Sequence, residues 1–109
     1  MPHITVKGIE ENVVAQISET LPTALLPIVG GAEQDIFIQY DSVKFYYKGR
    51  PATQAPVIVQ INTQPRSKDT LDQCAAVITD ALKIYTDRNV EVFFVLGSIE
   101  MYYRNGKAF

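Results

Sequence analysis

The sequence predicts an α/β protein of the two-layer α+β kind. Two fused β-α-β units form a mixed four-stranded sheet with two helices on one face, plus short hairpin strands. Three observations predict this class: short β-rich runs alternate with two amphipathic segments, the order of elements occurs twice, and a proline opens each half. The 109 residues suffice for one domain, 1–109, with pseudo-repeat halves 1–50 and 56–109.

The first half contains one helix between short strands. An apolar stripe at steps of three to five residues predicts the helix from Glu10 to about Leu26, and Pro22 interrupts its last turn. The strands that flank this helix are predicted over 2–7, 35–40 and 43–47.

The second half repeats this order. Ser67 is a good N-cap, and the apolar residues that follow at helical spacing predict a helix extending to Tyr85. The accompanying strands are predicted over 57–61, 90–96 and 99–104.

The two halves also resemble one another in sequence. Residues 42–48 (SVKFYYK) match residues 98–104 (SIEMYYR) in type, and the run after Pro2 aligns with the run after Pro56. Two unrelated β-α-β units would share some of this pattern by construction. The shared hairpin ending together with the shared proline start favours a duplication.

Apolar residues on both faces of the central strands predict an oligomer. Strand–helix–strand units cross over right-handedly and give parallel strand pairs. The central strands are apolar on both faces, as buried strands are, yet two helices cover only one face. A domain of this size also leaves much apolar surface at its boundary. Neighbouring subunits would cover the second face, and we expect a homotrimer.

Composition excludes several classes of function. The net charge of −2 is spread along the chain without a basic block, so we expect no nucleic-acid partner. One histidine and one cysteine, Cys74, make no metal site or disulfide, and no cofactor is expected. The chain lacks a signal-peptide pattern and any run long and apolar enough to span a membrane, which predicts a cytoplasmic protein.

A β-α-β unit that starts with proline and is followed by a hairpin resembles the building block of the tautomerase superfamily. Pro56 leads a strand and is followed ten residues later by Arg66, in the sequence Pro65-Arg66-Ser67. This spacing is similar to that of the 4-oxalocrotonate tautomerase group. The fused two-unit length is similar to macrophage migration inhibitory factor and its relatives.

The resemblance implies a site built around Pro2. Once Met1 is removed, Pro2 presents a secondary amine that can serve as general base in keto–enol tautomerisation of a small carbonyl acid. The resemblance also implies that Arg66 binds the substrate carboxylate. Three further residues are candidates for substrate binding: Lys7, Tyr46 and Tyr102.

Two other functions stay open at the level of sequence. The chain is alternatively a non-catalytic trimer descended from tautomerases, which binds a small ligand or has a structural role. If Met1 persists, the Pro2 nitrogen is an amide and cannot act as a base. A regulatory module of the ferredoxin-like β-α-β-β-α-β kind explains the element order, but not the repeated hairpins or the proline starts.

Overall fold

The computed structural model describes residues 2–109 and contains one mixed four-stranded sheet, two helices and two small hairpins. The predicted fold class is confirmed. The helices and strands, in chain order, are β1 (His3–Lys7), α1 (Glu11–Val29), β2 (Phe37–Asp41), β3 (Tyr46–Tyr47), β4 (Arg50–Pro51), β5 (Val57–Thr63), α2 (Lys68–Lys83), β6 (Val90–Leu96), β7 (Tyr103–Arg104) and β8 (Lys107–Ala108).

The four long strands lie in the order β2-β1-β5-β6. Each β-α-β unit forms a parallel pair, β1 with β2 and β5 with β6, as the crossover rule requires. The units join through antiparallel pairing of β1 with β5, in which His3 lies opposite Asn62 and Lys7 lies opposite Ile58. The beginnings of β1 and β2 therefore share one end of the sheet with the last residues of β5 and β6.

The core lies between the sheet and the two helices. Alternate residues of each central strand point towards the helices and are buried. The helices supply the apolar stripe that the sequence predicts. The buried residues of this layer are Ile4, Val6, Val13, Val14, Ile17, Leu21, Leu25, Val57, Val59, Ile61, Cys74, Ile78 and Leu82, with Ile9 and Ile36 at its margin.

The sheet face that points away from the helices is not the apolar surface that the sequence predicted. In β1 and β5 this face carries polar side chains, and Gln60 Nε2 donates to Asn62 Oδ1 at 3.0 Å. A second pair of bonds joins His3 to Gln39 at 2.9 Å and Gln39 to Asp41 at 2.8 Å. Apolar side chains are confined to the flanking strands and to one position of β5. They are Phe37, Ile58, Phe93 and Val95.

Helix α1 continues past the proline that was expected to interrupt it. It contains Pro22 and Pro27 and runs to Val29, three residues beyond the predicted end. A proline removes one helical hydrogen bond and costs about 3 kcal/mol in a helix interior. Burial of Leu21 and Leu25 against the sheet offsets that cost, because each side chain contributes roughly 1.5–3 kcal/mol. Helix α2 is shorter than predicted and ends at Lys83 rather than Tyr85.

The hairpins are shorter than the strands predicted over 43–47 and 99–104. Each turns through two residues with positive φ, Lys48-Gly49 in the first and Asn105-Gly106 in the second. Such pairs make the tight turn that matches the twist of antiparallel strands. A 3-10 turn over Ile99–Met101 precedes the second hairpin.

The two halves have the same order of long elements, but the aligned prolines are not in register. Ile4 faces the helices in β1, whereas Ile58, its partner in the sequence alignment, faces away from them in β5. The hairpins are also offset by one, since Tyr46 occupies the place that Tyr103 occupies in the second hairpin. A sequence repeat anchored on Pro2 and Pro56 is therefore displaced by one residue within the strands.

One pair of isoleucines in or beside α2 tests this packing. Ile78 is 1% exposed and Ile84, just after the helix, is 78% exposed. We expect Ile78→Ala to lower the free energy of unfolding by about 2–5 kcal/mol, because it leaves a cavity in the core. The same change at Ile84 should cost less than about 1 kcal/mol. Urea denaturation of both variants measures the difference, and equal losses would contradict the described core.

Candidate active site

A cleft of about 710 Å³ opens at the end of the sheet where β1 begins. The antiparallel pairing of β1 with β5 brings Pro2 beside the end of β5, and the second hairpin folds back over the same end. The Gly97 amide fixes the start of that return by donating to the Thr63 carbonyl at 2.9 Å. We call this space the Pro2 cleft. Its lining comprises Pro2, His3, Asp35, Phe37, Asn62, Thr63, Gln64, Val95, Gly97, Ser98, Ile99, Tyr102 and Arg104.

Pro2 is buried and borders two spaces. One is the Pro2 cleft, and the other is a void of about 10 Å³ between the sheet and the helices. Met1, on whose removal a Pro2 amine depends, lies outside the residues that the structure describes. An amine at this place would be desolvated by the surrounding side chains, and desolvation lowers the pKa of an amine.

Arg66 and Pro2 both line the small internal void. Arg66 Nε donates to Thr63 Oγ1 at 3.0 Å, and its Nη1 donates to the Val29 carbonyl at 3.0 Å. Val29 is the last residue of α1, so the guanidinium satisfies a carbonyl that the helix leaves without an intrahelical partner. Arg66 does not line the Pro2 cleft. Binding of a carboxylate there would require it to leave these partners.

Cys74 is the buried thiol that the sequence predicts on the apolar face of α2. Burial raises the pKa of the Cys74 thiol, and the positive charge of Arg66 partly opposes this effect. A thiol with a raised pKa is a poor nucleophile, since the thiolate is the reactive form.

The remaining predicted site residues separate to the two ends of the sheet. Tyr102 lines the Pro2 cleft, and its ring lies edge-on to Phe109 with centroids 4.8 Å apart. Lys7 ends β1 at the opposite end of the sheet. Tyr46 lines a separate, open groove beside the first hairpin, at that same distant end. Neither Lys7 nor Tyr46 lines the Pro2 cleft.

The sequence interpretation missed two charged residues of the cleft. Arg104 follows Tyr102 and Tyr103 in the second hairpin, and its guanidinium lies 3.9 Å from the carboxylate of Asp35. It also lies over the Phe109 ring, with Cζ 4.9 Å from the centroid. The basic ending of the Tyr-Tyr repeat was the available signal. Asp35 precedes an apolar strand without any motif, and only the topology brings it here.

Two searches for other kinds of site gave no candidate. Within residues 2–109, no group of three or more His, Cys, Asp or Glu side chains is arranged to hold a metal ion. In the same part of the chain, neither helix combines the length and the apolar character needed to cross a membrane.

Comparison with known families identifies one match. The model of the family described as Domain of unknown function (DUF1904) matches residues 1–108. A search of curated proteins found no match. A solved DUF1904 domain from Sebaldella termitidis is 28% identical to this chain, with a TM-score of 0.94 and 100% of each chain covered.

More distant solved structures share the fold. A macrophage migration inhibitory factor-like protein from Entamoeba histolytica is 12% identical, with a TM-score of 0.75 over 99% of this chain and 98% of its own. A fused 4-OT protein, described as a wild type asymmetric trimer, is 14% identical, with a TM-score of 0.80 over 97% of this chain and 94% of its own. Both belong to the tautomerase superfamily, so the predicted resemblance is confirmed for the fold.

The bonds of Arg66 generate a prediction about stability. We expect Arg66→Gln to lower the free energy of unfolding by about 1–3 kcal/mol, because it removes charge-assisted bonds to Thr63 and to the end of α1. Arg50→Gln in the exposed first hairpin is the matched control and should change it by less than about 0.5 kcal/mol. Chemical denaturation measures both. If Arg66→Gln leaves the free energy of unfolding unchanged, these bonds do not stabilise the end of α1.

Proposed function

The chain belongs to the DUF1904 family, and from this premise we propose that it is a tautomerase-like isomerase that uses the Pro2 amine as general base on a small carbonyl acid. The observation that carries the proposal is the burial of Pro2 in the wall of the cleft that opens at the start of β1. The fold shared with tautomerase-superfamily members supports it.

The chemistry requires a neutral amine that can reach a substrate carbon. After removal of Met1, the Pro2 nitrogen would abstract a proton from the carbon next to a carbonyl group and return it to another atom of the enol or enolate. Polar groups near Pro2 would stabilise the developing negative charge. Asn62, Ser98 and Tyr102 line the cleft and supply an amide and two hydroxyl groups that can donate hydrogen bonds.

The substrate class follows from the same lining. Phe37, Val95 and Ile99 offer apolar surface, and the cleft volume of about 710 Å³ is in the range of small-molecule sites. Such a lining suits a carbonyl acid with a modest apolar or aromatic substituent. Tyr102 would pack against that substituent or donate a hydrogen bond to it.

We also propose that the protein assembles as a homotrimer. Strand β6 is an edge strand of seven residues, and Phe93 and Val95, each 47% exposed, lie on the face away from the helices. A long apolar strand whose outer edge is unpaired favours association with another chain. The fused 4-OT protein, which shares this fold and is described as a trimer, supports an assembly of three copies.

A non-catalytic ligand-binding trimer is the second candidate. The observation that favours it is the engagement of Arg66 with Val29 and Thr63, which occupies the arginine that the resemblance assigns to substrate. In that case the cleft would bind small acids without turning them over.

Blocking the amine separates these two functions. We expect Met-free protein to catalyse phenylpyruvate tautomerisation, and an added alanine ahead of Pro2 to lower kcat/KM by roughly a hundredfold or more, because the nitrogen becomes an amide. Pro56→Ala is the control, since Pro56 is internal and cannot supply an amine. Mass spectrometry verifies the N-terminus before steady-state kinetics. Activity that survives the added residue would exclude Pro2 as base, and inactive Met-free protein would favour the binding function.

The oligomeric state is tested separately. Light scattering should give three times the 12.2 kDa chain mass. We expect Phe93→Asp to dissociate the trimer, because it places a charge on the apolar face of β6. Ile84→Asp changes an exposed residue beyond α2 and should leave the assembly intact. A monomeric wild-type protein in dilute solution would contradict the proposal.

A further inference from the structure

One row of side chains crosses the sheet face that points away from the helices and lines the Pro2 cleft. The strand register places four residues side by side in this row, and all four belong to the cleft lining: Phe37, His3, Asn62 and Val95. The two polar residues lie at its centre, between an aromatic side chain on β2 and an apolar one on β6. His3 follows Pro2 in the chain, so their Cα atoms are about 3.8 Å apart. An imidazole therefore lies beside the proposed base.

A chain of two hydrogen bonds holds the His3 ring on this face. The bond between His3 Nε2 and Gln39 Oε1 is 2.9 Å long, and Gln39 Nε2 donates to Asp41 Oδ1 at 2.8 Å. An ionised carboxylate only accepts hydrogen bonds, so Asp41 requires the NH₂ group of Gln39 to point towards it. The Gln39 oxygen then points towards His3 and accepts. His3 Nε2 must therefore carry a hydrogen and donate it.

The direction of these bonds decides which nitrogen of His3 a ligand can use. A neutral imidazole has one N–H group and one nitrogen with a free lone pair. Because Nε2 carries the hydrogen, the lone pair is on Nδ1. The His3 side chain is exposed and lines the cleft, so a ligand there can approach the ring. Neutral His3 offers that ligand an acceptor at Nδ1, and protonated His3 offers a donor at the same atom.

We infer that His3 is the oxygen-recognition residue of the Pro2 cleft. Its Nδ1 accepts a hydrogen bond from a hydroxyl or enol group of the ligand, and Gln39 and Asp41 are positioning residues that fix the ring. The inference deepens the proposed function and rests on it for the class of ligand, a small acid with an oxygen on the carbon next to its carboxylate.

In the proposed reaction this contact supplies the second proton transfer. During ketonisation, His3 Nδ1 takes the proton of the enol O–H group, and the protonated Pro2 amine gives a proton to the carbon. The C=C electrons form the new C–H bond as the carbonyl forms. In enolisation, Pro2 takes the carbon-bound proton and protonated His3 gives one to the oxygen. One proton is taken and one is given in each direction, and exchange with water restores both groups.

Two unreactive acids that differ by one hydroxyl group test the contact. The acid 3-phenyllactate carries a hydroxyl on the carbon next to its carboxylate, and 3-phenylpropanoate lacks it. Isothermal titration calorimetry at about pH 9, where histidine is neutral, should show about threefold to tenfold tighter binding of phenyllactate by the wild type. His3→Phe keeps a ring without nitrogens and should bind the two acids equally. Thr5→Val is the matched control on the same strand and face, outside the cleft lining, and should keep the preference.

NMR reports on the ring directly, because His3 is the one histidine of the chain. Tag-free protein with ¹⁵N-labelled histidine gives one pair of ring-nitrogen signals. Phenyllactate should shift the Nδ1 signal, which becomes hydrogen-bonded, and phenylpropanoate should leave it in place. Gln39→Leu should populate the other tautomer and move the two signals closer together, because fast exchange averages them. Gln39→Glu, whose carboxylate also accepts from Nε2, should keep them apart.

Three results would overturn the inference: equal or no binding of the two acids by the wild type, a hydroxyl preference that persists in His3→Phe, or an Nδ1 signal that phenyllactate does not shift. Ring signals that stay unchanged in Gln39→Leu would contradict the positioning by Gln39 and Asp41. These measurements do not depend on the Pro2 amine and can be run with Met1 present. A hydroxyl preference that follows His3 in a protein without tautomerase activity would therefore remove the proposed activity and keep the inference. Tautomerase activity without that preference would do the reverse.

Discussion

The antiparallel pairing of β1 with β5 is the constraint on which the candidate site depends. Each β-α-β unit by itself gives a parallel pair with a helix on one face. Joining the units antiparallel brings the first residues of one unit to the last residues of the other. Pro2 thereby lies beside Thr63, at the end of the sheet over which the second hairpin folds. A parallel join would place Pro2 at the far end from that hairpin.

Two arginines near this end of the sheet have different surroundings. Arg66 connects the end of α1 to the turn before α2 through bonds to Val29 and Thr63. Arg104 lines the Pro2 cleft, near the carboxylate of Asp35 and over the ring of Phe109. The first arrangement joins the end of α1 to the turn before α2, and the second places a positive charge in the wall of the Pro2 cleft.

The secondary structure was largely predictable because the apolar spacing of each element is regular. The course of α1 was less so, since the rule that proline ends a helix neglects the burial of Leu21 and Leu25 on either side of Pro22. The second sheet face was also misjudged. Hydrophobic runs in β5 suggested burial on both faces, whereas Gln60 and Asn62 bond to one another on the open face.

The candidate site was predictable only in part. Pro2 and Tyr102 were identified from a leading proline and a repeated aromatic pair, which are local signals. The pairing of Asp35 with Arg104 joins residues 69 positions apart from opposite edges of the sheet. No local pattern encodes that contact, because it requires both the strand order and the return of the hairpin. The alignment of the two halves was displaced by one residue. A shift of one residue moves every side chain of a strand to the opposite face of the sheet.

The central claim is that the cleft holds Pro2 as a neutral amine near pH 7. NMR titration of a protein with ¹⁵N-labelled proline and a verified Pro2 N-terminus measures the pKa of that amine directly. The account predicts a pKa of about 7 or lower, below the value of about 8 that is ordinary for an α-amino group, since burial disfavours the charged form. A Pro2 pKa of about 8 or higher would contradict it, because most of the amine would then be protonated at pH 7.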